Sequence, residues 1–143
     1  MSFSLSSFDT EELTCFDIIK ATYALSDNEV EVMMCIKHSQ PTDIMTIVDI
    51  IPKDRATITR SIQRLMSIGF VKKTKINLDR GGFKYLYSSL STEEMKIKLK
   101  GLLQRITERM DTAIDNLTEE KCHNMFNEVV LKYTIKDKEE TNQ

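Results

Sequence analysis

Nine of the chain's 20 Lys and Arg residues fall in the 34 positions from Lys53 to Leu86. They are Lys53, Arg55, Arg60, Arg64, Lys72, Lys73, Lys75, Arg80 and Lys84, and only Asp54 and Asp79 oppose them, for a net charge of +7. Residues 1–52 carry −7 and residues 87–143 carry −2, so the whole chain is slightly acidic at −2. Ammonium groups at this density bond phosphate oxygens as point charges. Guanidinium adds a planar fork of donors that also fits the edge of a base. A basic block between acidic flanks is the electrostatic footprint of a surface that meets a polyanion.

The surrounding pattern says which elements must hold these charges. A first helix is expected over about Thr10–Leu25, from Leu13, Phe16, Ile19 and Tyr23 at helical spacing. Ser26-Asp-Asn-Glu29 is a capping box that opens a second helix, apolar nearly all round and stopped by Pro41. Thr42 reads as the N-cap of a short third helix, which Pro52 ends because proline has no amide to donate. A fourth helix follows from about Asp54 to Ile68, and Gly69 supplies the left-handed residue after it. Two short helices joined by a tight turn make a helix-turn-helix. Phe70–Leu78 and Phe83–Ser88 read as paired strands around the turn Asp79-Arg80-Gly81-Gly82, with Phe83, Tyr85 and Tyr87 on one face.

The fourth helix divides on a helical wheel. Ile58, Ile62, Leu65 and Met66 share the core face, while Ala56, Thr59, Arg60, Gln63, Arg64 and Ser67 lie opposite, with Arg55 and Thr57 near the exposed start. Arg can bond guanine through two donors, Gln can do the same to adenine, and Thr offers a methyl or a hydroxyl. In the hairpin, Arg80 at the tip is set to enter a minor groove, where narrow A·T-rich stretches attract Arg. Lys72, Lys73, Lys75 and Lys84 suit phosphates. The same lysines also protect a sheet edge from pairing with another chain, and the two roles are compatible. The expected partner is double-stranded DNA.

The run Ile50-Ile-Pro-Lys-Asp-Arg-Ala-Thr-Ile-Thr-Arg-Ser-Ile-Gln-Arg-Leu-Met-Ser-Ile-Gly-Phe-Val71 resembles the helix-turn-helix signature of prokaryotic MarR/TrmB-type winged-helix regulators. Gly81-Gly-Phe-Lys-Tyr-Leu-Tyr87 is similar to the wing strand common in archaeal members. The motif covers about residues 42–90. The resemblance implies a homodimer built from terminal helices, a cytoplasmic location and transcriptional regulation. Carried onto matching positions, it implies DNA contacts by Arg55, Thr57, Arg60 and Arg64 on the helix and Arg80 on the wing.

Beyond the hairpin, Ser91-Thr-Glu-Glu94 is a second capping box, launching a long helix to about Leu117. Its stripe of Met95, Leu99, Leu102, Ile106, Met110, Ala113 and Leu117 needs cover. The first and last helices of the same chain are one source. The small surface of a winged core favours a second subunit, contacted through Leu99, Leu102, Ile106, Met110, Ala113 and Leu117. A final helix is expected over about Glu119–Tyr133, then a polar, disordered tail over 136–143. The expected fold is therefore mainly α with a small β-hairpin. It comprises an N-terminal helix (1–25), a winged helix-turn-helix (26–90), C-terminal dimerisation helices (91–135) and the tail.

Other classes are disfavoured. No segment reaches the roughly 20 apolar residues that span a bilayer, and the N-terminus has no signal-peptide pattern. There is no phosphate-binding glycine loop, no His-Glu-x-x-His and no nucleophile elbow, so an enzyme is not expected. Cys15, Cys35 and Cys122 read as small apolar side chains in a reducing cytosol, or as a thiol- or metal-responsive site with His38 and His123. The lack of paired Cys ligands favours the first reading, with no metal and no cofactor. A winged helix serving as a protein-interaction module of a transcription complex is the remaining alternative, but such modules often lose the basic face kept here. No residue pattern names a small-molecule effector.

Overall fold

The structure, a computed structural model, describes residues 5–9 and 12–141. After a 3-10 turn at Leu5–Phe8 come α1 (Cys15–Tyr23), α2 (Asp27–Ser39), α3 (Ile44–Ile50) and α4 (Arg55–Ser67). Strands β1 (Val71–Asn77) and β2 (Phe83–Ser89) precede α5 (Thr92–Asp115) and α6 (Glu119–Thr141). The strands form an antiparallel pair running from Val71↔Ser89 at the base to Asn77↔Phe83 at the tip. The chain divides into two compact units, Met1–Leu103 and Gln104–Gln143.

Local chemistry explains where the elements of the first unit begin and end. At α2 the Ser26 hydroxyl accepts from the Glu29 amide at 3.1 Å, and the Glu29 carboxylate accepts from the Ser26 amide at 2.9 Å. The same reciprocal pair forms between Ser91 and Glu94 at the start of α5. Helix α4 stops in a Schellman motif: Gly69 has φ +82°, its amide donates to the Met66 carbonyl, and the Phe70 amide donates back to Leu65 at 3.0 Å. Leu65 and Phe70, the apolar pair of that motif, are both fully buried.

The core gathers one face from each element. Ile19 of α1, Val32, Met33 and Ile36 of α2, Ile47 of α3, Ile58, Ile62 and Leu65 of α4, Val71 of β1 and Met95 of α5 are all buried together. Burying each of these large side chains contributes roughly 1.5–3 kcal/mol. The charged face of α4 is thus backed by packing that fixes its orientation.

Three expectations need correction. Thr42 is not the cap of α3: Asp43 is, accepting from the Thr46 amide at 3.0 Å. Thr42 is buried and bridges Tyr87 through two backbone bonds, adding a one-residue third strand at the base of the hairpin. Helix α1 begins only at Cys15, because Thr14 and Asp17 form a capping box of their own. The start near Thr10 falls partly outside the described residues. Finally, α6 does not end near Tyr133 but continues to Thr141. Residues 134–141 contain no Gly or Pro and are rich in Lys and Glu, which favour helix.

In the second unit every described side chain except Ile106 is exposed. Leu117 and Phe126 leave 62 % and 61 % of their surface open. The stripe expected for dimerisation therefore splits. Leu99 packs against the core of the first unit, and Leu102 and Ile106 are half-buried. Met110, Ala113 and Leu117 are exposed.

Candidate nucleic-acid interface

Helix α4 presents Arg55, Ala56, Arg60, Gln63, Arg64 and Ser67 to solvent, while Thr57 and Thr59 are half-buried. The opposite face is anchored by more than apolar packing. Ser61 is buried, and its hydroxyl accepts from the Asn28 amide group at 2.8 Å, tying α4 to α2.

The exposed start of α4 is internally bonded. The Thr57 hydroxyl donates to the Asp54 carboxylate, and Arg60 Nη2 donates to Thr57 Oγ1 at 3.2 Å. That chain holds the Arg60 guanidinium over the first turn of the helix. The Thr57 hydroxyl, before the nearby Arg60 charge, keeps the Asp54 carboxyl below the usual carboxylate range.

Arg64 is differently placed. Its Nη2 donates to the Tyr23 carbonyl at the end of α1 at 2.6 Å, and its Nε lies 3.8 Å from the Glu29 carboxylate of α2. This guanidinium bonds the protein's own body. Sequence spacing put Arg64 on the outward face correctly but had no means of seeing the free carbonyl left by the turn at Ala24, whose φ is 54°.

The hairpin carries the rest of the basic block. Gly81 and Gly82 take φ +90° and +81°, and Leu78 and Gly82 close the loop with a 3.0 Å bond, leaving Arg80 exposed at the tip. Lys72, Lys73 and Lys75 are exposed along β1. Lys84 also pairs with Asp43, the cap of α3, at 3.5 Å. Burial, and then the neighbouring Tyr85, push the Tyr87 phenol up, while Arg55 pulls it down.

A feature that residue counting did not single out is the pairing of these lysines with aromatic rings. Lys73 Nζ sits 4.4 Å from the centre of the Tyr85 ring, and Lys75 Nζ sits 4.1 Å from that of Phe83. The alternation Lys-Thr-Lys against Phe-Lys-Tyr carried the signal, since register sets both pairs on one face.

The three cysteines are free: Cys15 and Cys122 exposed, Cys35 half-buried with its thiol pushed up by burial, which disfavours the reactive thiolate. Among the described residues no group of three or more His, Cys, Asp and Glu side chains is arranged to hold a metal ion. No helix among them is long and apolar enough to cross a membrane.

A helix-turn-helix packed in a helical core and followed at once by a β-hairpin defines a winged helix. The chain belongs to the penicillinase repressor family, whose profile matches residues 25–141. It is 29 % identical over 82 % of its length to the uncharacterized protein MJ1503 of Methanocaldococcus jannaschii, covering 85 % of that protein. It is 23 % identical over 90 % of its length to the uncharacterized HTH-type transcriptional regulator YhjH of Bacillus subtilis, covering 75 % of it. Its fold is shared with a possible transcriptional regulator from Methanosarcina mazei, with a TM-score of 0.65 and 20 % identity over 83 % of this chain and 97 % of that one. The winged-helix regulator type expected from residues 42–90 is thus borne out, and the protein is not an enzyme.

Proposed function

We propose that this regulator binds double-stranded DNA sequence-specifically as a homodimer, with α4 in the major groove and the wing on the adjacent minor groove and backbone. The observation that carries this is the exposed basic and polar face of α4, backed by buried Ile58, Ile62 and Leu65 and continued by the basic hairpin, on a chain that is otherwise acidic. Arg55, Thr59, Arg60 and Gln63 read the groove, with Thr57 orienting Arg60. Lys72, Lys73, Lys75 and Lys84 bind phosphate, and Arg80 senses groove width. Arg64 braces α4 against α1 and α2 rather than touching a base.

The dimer forms through the exposed apolar face of α5 beyond Leu103 together with α6. Met110, Leu117, Phe126 and Val129 are the kind of surface a soluble chain covers by association. The dimer works in the cytoplasm, where a prokaryotic regulator meets its DNA.

The test compares Arg60→Ala with Arg80→Ala on a duplex selected from random sequence. Losing a two-donor base contact costs about 1–3 kcal/mol and relaxes preference at that base pair. Arg80→Ala weakens binding with little change in the major-groove consensus. Unchanged affinity and preference in a folded Arg60→Ala protein would contradict the assignment.

A further inference from the structure

The wing carries two exposed aromatic rings that duplex recognition does not use. Tyr85 and Phe83 stand on one side of the hairpin, edge to face, with ring centres 5.4 Å apart at an interplanar angle of 72°. Phe83 leaves 50 % of its surface open and Tyr85 36 %, although Tyr87, the next ring on the same face, packs against the core. An ammonium group lies over each exposed ring, from Lys73 and Lys75. Strands and turn together carry five bases, Lys72, Lys73, Lys75, Arg80 and Lys84, against Asp79 alone.

A ligand suited to this face offers a flat π-surface and an anion at short spacing. A nucleotide does: its phosphate draws the ammonium off the ring and pairs with it, and its base stacks on the face so uncovered. A duplex does not, because its base faces are already stacked on one another and only edges and phosphates point outward. We propose that the Lys73–Tyr85 and Lys75–Phe83 face is a stacking platform for single-stranded DNA, taking unpaired bases on the two rings. The choice of DNA over RNA rests on the duplex reading above, since the hairpin that carries these rings is the wing proposed to lie on the duplex. The pairing of rings with unpaired bases rests on the wing geometry alone.

Cross-strand cation–aromatic pairs also brace a hairpin, so the test must separate binding from bracing. Full-length protein is titrated by fluorescence anisotropy at low salt with labelled oligo-dT, oligo-U and a mixed-sequence duplex. The variants are Tyr85→Leu and Phe83→Leu, which keep an apolar side chain on the hairpin but remove the π-face. Wild type binds oligo-dT, and each variant weakens that binding about 5- to 150-fold, the loss expected when one stacked base loses its ring, with duplex affinity changed less than about twofold. Arg60→Ala shows the reverse pattern. The chain has four tyrosines and no Trp, so stacking on Tyr85 also quenches intrinsic tyrosine emission when oligo-dT is added, and Tyr85→Leu removes that part of the quench. Absent or variant-insensitive oligo-dT binding overturns the proposal, and with duplex binding intact it leaves the duplex reading standing. Equal losses on duplex and oligo-dT overturn it in favour of an ordinary wing contact. Tighter ring-dependent binding of oligo-U overturns the assignment to DNA.

Discussion

Arg64→Ala separates a brace from a DNA contact. Sequence spacing groups Arg64 with the base-reading residues, whereas its guanidinium donates to the Tyr23 carbonyl at 2.6 Å and faces Glu29 at 3.8 Å. A hydrogen bond from a charged donor contributes about 1.5–3 kcal/mol. The Arg64 side chain is 45 % exposed, so solvent screening lowers that figure. The ion pair is long and adds little, leaving about 1 kcal/mol for the whole contact. A change of that size shifts melting by about 4–8 °C in a domain of 60–100 residues and by less in a longer chain. We therefore expect Arg64→Ala to melt about 3–6 °C below wild type by circular dichroism at fixed protein concentration. Arg60→Ala, whose guanidinium bonds the Thr57 hydroxyl at the exposed start of α4, should melt within about 1–2 °C of wild type. Duplex affinity should show the opposite order, with Arg60→Ala the weaker binder. If Arg64→Ala melts like wild type and loses as much duplex affinity as Arg60→Ala, the bracing role is wrong and the guanidinium leaves Tyr23 for DNA.

Gly69→Ala should destabilise by about 1–2 kcal/mol in denaturant titration, because φ +82° opposes a side chain even though only the flexible Lys98 end, 3.3 Å away, stands near the added atom. Ala24→Gly should stabilise by about 0.5–1 kcal/mol in the same assay, relieving the φ 54° conformation at the end of α1. Phe70→Ala should cost about 3–5 kcal/mol, since it empties a fully buried site and removes the edge contact with Tyr23 at 5.1 Å. Asp17, Asp43, Asp54 and Glu94 all titrate below their ordinary values of 3.8 and 4.5 through bonds from Thr14, Thr46, Thr57 and Ser91. Depressed folded-state values mean that their stabilisation is complete above the unfolded values and fades as pH falls through the folded ones. Melting temperature should therefore drop below about pH 4.5, and replacing Asp43 with Asn should flatten that drop.

Most of the fold was legible because periodicity, capping and turn signals agreed. The Ser26–Glu29 and Ser91–Glu94 boxes, the Pro52 stop, the Gly69 cap and the double-glycine turn each act within a few residues, and sequence displays such local chemistry directly. What was not legible depends on distant partners. Thr42 looked like a cap until the Tyr87 backbone engaged it, and Asp43 took the cap instead. Arg64 looked free until the Tyr23 carbonyl, 41 positions away, claimed it. The outward face of α4 followed from its wheel, but the Arg60–Thr57–Asp54 chain and the lysines over Tyr85 and Phe83 depend on rotamers that spacing does not set. The split of the α5 stripe between Leu99 against the core and Met110 in solvent depends on where the winged core ends along that helix.

The central claim is that the basic block of α4 and the wing grips duplex DNA through its phosphates as a dimer. Salt dependence of duplex affinity tests it most directly, because each neutralised phosphate releases counterions. With about three to five phosphates neutralised per subunit, a plot of log affinity against log salt should fall with a slope of about −5 to −9. A slope near zero, or no duplex binding at low salt by a folded protein, would contradict it and favour a winged helix that binds other proteins.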